Sequence, residues 1–184
     1  MKFTLKNVIV FSCIVLFSNT LFAKGLTLKS KDMIGQISIN QVFNGFGCSG
    51  KNISPELSWE NAPKETRSFA ITMYDKDAPT GSGWWHWIVV DIPKDVRSLK
   101  SNSGDISLDL MPKGVVQTMT DYGKGGFGGA CPPVDDSAHQ YVITVYALNV
   151  EKLGVGKEAL PGLVGFMINA HTIAKASVIA YYGR

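Results

Sequence analysis

Two acids and a histidine stand close together in Tyr74-Asp75-Lys76-Asp77-Ala78-Pro79 and the following Trp84-Trp85-His86-Trp87. A run ending in acids, a Pro/Gly-containing loop and a run starting with histidine fit two strands that meet at one end of a sheet. If these strands pair, Asp75 or Asp77 comes near His86, and a nearby carboxylate favours the imidazolium. Such a histidine donates to an anion, with Trp85 or Trp87 as an apolar wall. The plainer alternative is a loop capped by the acids and a histidine satisfied in the core.

Another chemically suggestive stretch is Gly123-Lys124-Gly125-Gly126-Phe127-Gly128-Gly129-Ala130-Cys131-Pro132-Pro133. It contains the G-x-G-x-x-G spacing, but a dinucleotide fingerprint must open a helix, and Pro132-Pro133 blocks that continuation. Glycines do let backbone amides approach a ligand, so Gly128 and Gly129 are candidates for an anion nest. His139 and Tyr141 then open an apolar run; separately they read as a strand-edge histidine and a core tyrosine.

The elements that must position these groups are mostly strands. Strand-like patterning covers Leu26–Ser30, Gln36–Phe43, Leu57 and Trp59, Ser68–Tyr74, Trp85–Ile92, Val115–Gln117, Gln140–Leu148 and Ser177–Tyr182. Gln140–Leu148 is apolar on both faces, as in a sandwich interior. Leu163, Phe166, Met167 and Ala170 follow Pro161 at helical spacing. His171, near the end of that helix, suits its dipole and reads as structural. The expectation is a mainly β, sandwich-like fold with a helix near the C-terminus.

Composition narrows the function classes. The 184 residues are 45% hydrophobic and 18% charged, with 19 glycines and 8 prolines, which suits a packed domain rich in turns. Lys2 and Lys6, an apolar run over Val8–Phe17 and the small Ala23 read as an export signal cleaved after residue 23. That run is too short for a membrane anchor. Removing two lysines lowers the formal charge from +3 to +1, which leaves no electrostatic footprint for nucleic acid. Residues 24–184 form one expected domain, periplasmic or secreted. It keeps two cysteines, Cys48 and Cys131, which most simply form one disulfide in an exported protein; two buried thiols are the alternative.

Taken together, Asp75-Lys76-Asp77-Ala78-Pro79, His86-Trp87 with Ile92-Pro93, Gly128-Gly129-Ala130-Cys131-Pro132-Pro133 and His139-Gln140-Tyr141 resemble the paired signatures of the phosphatidylethanolamine-binding protein family. Cys48-Ser49-Gly50-Lys51-Asn52-Ile53-Ser54-Pro55-Glu56-Leu57-Ser58-Trp59 is similar to the entry motif of its bacterial YbhB/YbcL, Raf-kinase-inhibitor-like branch. The resemblance implies a large antiparallel sheet packed on a smaller one, C-terminal helical structure and a shallow anion pocket without metal or organic cofactor. It implies Asp75, Asp77 and His86 as pocket residues, Gly128, Gly129 and Pro132 as a wall, and His139 and Tyr141 from the second signature. It also allows a homodimer. Three positions depart from the pattern: Lys76 replaces a proline, Ala130 replaces a proline found in many relatives, and an arginine before the glycine loop is missing, with Lys124 as a rough substitute.

The leading expectation is a binding protein for a small anion or phosphorylated headgroup. A protein-interaction module, as a protease inhibitor or a secreted host-directed factor, is the alternative from another class. Hydrolysis ranks lower, because neither a G-x-S-x-G elbow nor an H-E-x-x-H pair occurs and a Cys48–Cys131 bridge removes the thiol nucleophile.

Overall fold

The computed structural model describes residues 25–184, so the expected export signal lies outside the described residues. In chain order the strands are β1 (Thr27–Lys29), β2 (Gly35–Gln36), β3 (Asn44–Gly45), β4 (Cys48–Ser49), β5 (Leu57–Glu60), β6 (Ser68–Asp75), β7 (Trp84–Pro93), β8 (Ser98–Leu99), β9 (Val116–Gln117) and β10 (His139–Leu148). Helix α1 (Pro161–His171) and strand β11 (Thr172–Tyr182) complete the fold. A six-stranded sheet in the order β2-β11-β10-β6-β7-β9 packs on a three-stranded sheet, β1-β5-β8, while β3 and β4 form a separate hairpin. This is the mainly β, large-on-small architecture expected from the sequence.

Period-two alternation decides the faces. Along β10, Tyr141, Ile143, Val145 and Ala147 are fully buried and point at the small sheet. Trp59, Leu57 and Leu99 meet them there, together with Phe69, Ile71 and Met73 of β6. The other face of the large sheet, with Ala70, Ile88 and Val90, lies under Val164 and Ile168 of α1. Both faces of β6 and β7 are therefore covered, which explains their near-continuous apolar runs.

Three elements differ from the sequence reading. Gln36–Phe43 is a strand only at its first residue; the rest is a chain of turns, held by loop bonds such as Gln41 N to Ser38 O at 3.0 Å, apart from an isolated bridge of Val42 to Ala130. Strand β11 begins directly at the end of α1, five residues before Ser177, because Thr172–Ala176 already pair with β10. The β3–β4 hairpin is too short to leave a periodic signal.

Cys48 and Cys131 are joined as a disulfide, which decides between the two readings of that pair. The bridge fastens the β3–β4 hairpin to the segment after the glycine loop, across a sequence separation of 83. Closing a loop of that length restricts the unfolded chain and stabilises the fold by about 4 kcal/mol on chain-entropy grounds. Reduction, or a paired Cys48→Ser and Cys131→Ser exchange, should lower the urea unfolding free energy by about 2–4 kcal/mol. An unchanged urea midpoint would show that the bridge restrains nothing.

Candidate functional site

Pairing places Asp75, the last residue of β6, opposite Trp84 on one side and Tyr141 on the other. The β6–β7 register slips just before this point. Tyr74 faces Trp85 and Met73 faces Trp87, leaving His86 as an extra residue. Such a bulge re-aims side chains at a sheet end. Trp87 enters the core against Phe127, at 5.7 Å between ring centroids, while His86 and Trp84 line a cavity of about 270 Å³.

Of the residues expected at the site, Asp75, His86, Pro132, His139 and Tyr141 line this cavity. Trp85 does not. Its ring packs on Tyr74, at 4.7 Å, and faces Gly165 of α1 on the other side of the sheet. The apolar wall comes instead from Trp84, with Phe46, Pro79 and Tyr122. Asp77 also stays outside, accepting from the Gln140 amide at 2.8 Å and pairing with Lys76 at 2.6 Å. The Lys76 hydrogen bond, then that of Gln140, holds the Asp77 carboxyl below its usual range.

At His86 burial outweighs the acidic neighbours and works against the imidazolium anticipated from them. Its Nδ1 lies 2.8 Å from the Gly128 carbonyl and 3.1 Å from that of Gly129, so this nitrogen carries the hydrogen and donates. The ring is 3% exposed, and burial pushes its pKa down against the raising effects of these carbonyls and Asp75.

The glycine loop is likewise reversed from an amide nest. The Gly128 N–H donates to His86 O at 2.9 Å, and the Gly129 N–H donates to Asn52 Oδ1 at 2.7 Å. Both amides are already spent. These glycines serve close packing: a Cβ on Gly128 would sit 2.2 Å from the Tyr122 ring, and one on Gly129 would sit 2.2 Å from Gln41 O.

The carboxylate-bound histidine is His139. Its Nδ1 donates to Asp75 Oδ2 at 2.7 Å and its Nε2 to Asp136 Oδ2 at 3.2 Å. Burial alone would lower its pKa, but the hydrogen bonds and charges of the two carboxylates prevail and raise it. Asp75 Oδ1 also accepts from the Asp77 amide at 2.9 Å. Truncating a partner in such a buried pair costs about 3–5 kcal/mol.

Several site residues escaped the sequence reading. Tyr122 donates to Gly129 O at 2.7 Å and stacks under Phe46 at 5.8 Å. Asn52 braces the glycine loop from a left-handed backbone, φ 53°, which asparagine tolerates; its place in the entry motif was the available signal. Arg184 supplies the cation at the mouth, donating to Pro132 O at 2.6 Å and Gly47 O at 3.0 Å. Lys124 instead lines a separate, larger groove of about 710 Å³ with Ile106, Met111 and Met119.

Two buried side-chain atoms of the lining, Trp84 Nε1 and Tyr141 Oη, make no well-formed hydrogen bond, although Trp84 lies close enough to Tyr122, and Tyr141 to Asp75, to perturb the tyrosine pKa values. Such groups are costly to bury unsatisfied, so their convergence on one cavity favours a polar occupant. Among the described residues, no group of three His, Cys, Asp or Glu is placed to hold a metal ion.

The two histidines should titrate on opposite sides of the ordinary 6.5. His139, raised in the fold, contributes stability that is complete below pH 6.5 and lost as pH rises through its folded value. His86, depressed in the fold, contributes stability that is complete above pH 6.5 and lost as pH falls through its folded value. Histidine NMR titration should place the His139 midpoint above that of His86; the reverse order would refute both assignments.

Known proteins supply an independent comparison. The sequence profile of the phosphatidylethanolamine-binding protein family matches residues 33–183. YbcL of Escherichia coli K12 is 49% identical over 147 residues, covering 80% of each chain. YbhB of the same strain is 50% identical over 141 residues, covering 77% of this chain and 88% of its own. The crystal structure of E. coli YbcL, described as a new member of the mammalian PEBP family, superposes with a TM-score of 0.85 at 45% identity. That match covers 88% of this chain and 99% of the other. With most of its length matched in sequence and in fold, the chain belongs to the phosphatidylethanolamine-binding protein family.

Proposed function

We propose that this chain is an exported binding protein whose cavity at the end of the large sheet holds a small anion or the phosphorylated head of a larger ligand. The observation that carries the reading is one cavity that brings together the His86 ring, Arg184, and two buried polar atoms without a well-formed hydrogen bond, Trp84 Nε1 and Tyr141 Oη. An anion oxygen satisfies such donors, and hydrogen bonds to charged groups are the stronger kind. Phe46, Trp84, Pro79 and Tyr122 offer apolar surface to the rest of the ligand.

Binding fits these residues better than catalysis. Both nitrogens of His139 are held by carboxylates and His86 Nδ1 is held by carbonyls, so neither is paired with a side-chain nucleophile. Export rests on the residue 1–23 pattern and agrees with the disulfide; no described helix is long and apolar enough to cross a membrane. An inhibitory or regulatory role through a protein partner draws on one further observation, the exposed Leu163 and Phe166 of α1, at 54% and 69%.

Phosphate or phosphoethanolamine should shift the NMR signals of His86 and Tyr141 at millimolar concentration. Tyr141→Phe and Trp84→Phe each remove one donor and should weaken binding about ten- to hundredfold. Trp85→Phe should leave affinity unchanged, and equal effects of all three exchanges would remove the cavity from the account.

A further inference from the structure

The two edges of the large sheet are finished differently. At one, β9 has two residues; at the other, β11 runs for 11 and β2 pairs with only Ala180 and Tyr181. The Tyr181 carbonyl accepts from Ile37 N at 3.0 Å, so the peptide groups of Tyr181 point away from β10. Hydrogen-bonding direction alternates along a strand, which sends the N–H and C=O of Lys175, Ser177 and Ile179 the same way. Among the described residues, nothing pairs with these three on that side. Ile173, the extra residue of a bulge opposite β10, begins the free stretch.

The side chains along this edge say what suits it. Ala174, Ala176 and Val178 pack towards the small sheet, so the alternate residues stand on the opposite face. There Ile173 and Ile179, 38% and 43% exposed, flank the exposed Lys175 and Ser177. Lys175 forms no ion pair with any described residue. We propose that the free edge of β11 docks an extended segment of another protein. The segment adds as an antiparallel strand, with a carboxylate opposite Lys175 and apolar residues opposite Ile173 and Ile179. Main-chain hydrogen bonds supply affinity in such an addition, and the side-chain pairs supply register and specificity. Because β2 already extends the sheet at one end of this edge, the added strand continues a pairing that the fold has begun.

A second copy of this chain fits the edge less well. Two-fold antiparallel pairing centred on Lys175 would set the two lysines opposite one another, where like charges are destabilising. Centred on Ala176, it would leave them diagonal neighbours on one face. Centred on Ser177, it would run the start of the second β11 into the place that β2 holds beside Ala180 and Tyr181. A lysine on an edge strand guards against self-pairing of this kind. The same ammonium group is free to meet an acid from a different chain.

Amide hydrogen exchange followed by NMR tests this on the mature protein, with the capped peptide Val-Ala-Thr-Ala-Glu-Ala-Val as probe. In the antiparallel register its glutamate falls opposite Lys175 and its valines opposite Ile173 and Ile179. Without peptide, the amides of Lys175, Ser177 and Ile179 should exchange freely, whereas those of Ala176, Val178 and Ala180, which face β10, should be protected. Millimolar peptide should slow the first set and leave the second unchanged. Lysine in place of the peptide's glutamate should weaken binding about five- to tenfold, and Lys175→Glu should invert that order. Ser177→Pro removes only an outward N–H, so the fold should survive while the protection by peptide disappears. If that variant does not fold, the inversion by Lys175→Glu decides alone. Protection of the outward amides by raised protein concentration without peptide would give the edge to a second copy and overturn the inference. No protection at millimolar peptide, or equal binding of the two peptides, would overturn it as well.

Discussion

A carboxylate cut off from water must find its partners within the protein, and Asp75 organises one end of the large sheet around that need. Its first oxygen takes the Asp77 amide and closes the turn after β6; its second takes His139 from the neighbouring strand. His139 reaches on to Asp136, in the segment that follows Pro132-Pro133. A single buried charge thus links β6, β10 and the loop that walls the cavity. The arrangement also fixes what His139 is for. Flanked by two carboxylates, it has both ring nitrogens engaged within the protein and no hydrogen left for a ligand.

That commitment leaves the interior of the cavity without a free positive charge. Two carboxylates and one imidazolium sit beside it, and the glycine loop turns carbonyls rather than amides towards His86. On the proposed function, recognition would fall to neutral groups in a region of low dielectric, where hydrogen bonds are strong and an unmatched polar group is costly. Arg184 adds charge only at the rim. Anchored to the Pro132 and Gly47 carbonyls, it also holds the proline wall against the disulfide-bearing hairpin.

Much of this was legible in the residues. The apolar runs of β6 and β10, the helix after Pro161 and the family signatures indicated the sheets and pointed to Asp75, His86, Pro132, His139 and Tyr141 of the cavity lining. What the sequence hid were hydrogen-bond directions. Gly128-Gly129 reads as a backbone that can approach a ligand, yet Gly128 approaches Tyr122, a few residues upstream, and Gly129 approaches Gln41 from a segment distant along the chain. Asp75 reads as a partner for the nearby His86, but the closer neighbour in space is His139, diagonal to it across the β6–β10 ladder. Local spacing cannot rank these options, because each depends on which strand lies alongside.

The misplaced tryptophan has one cause, and it is the same one that creates the site. Strict alternation outward from Trp87, which is in the core, puts Trp85 on the inner face and sends His86 and Trp84 to the helix side. The extra residue in β7 reverses that order at the strand's beginning, since shifting by one position exchanges the two faces. Trp85 is turned onto Tyr74 and α1, while Trp84 and His86 come to face Asp75 and Tyr141 at the inner edge. The Trp84 indole and the His86 imidazole therefore join Tyr141 in one cavity because of a single unpaired position in the ladder. A regular strand of the same composition would have turned Trp84 and His86 towards the helix and left the inner sheet end to Asp75, His139 and Tyr141.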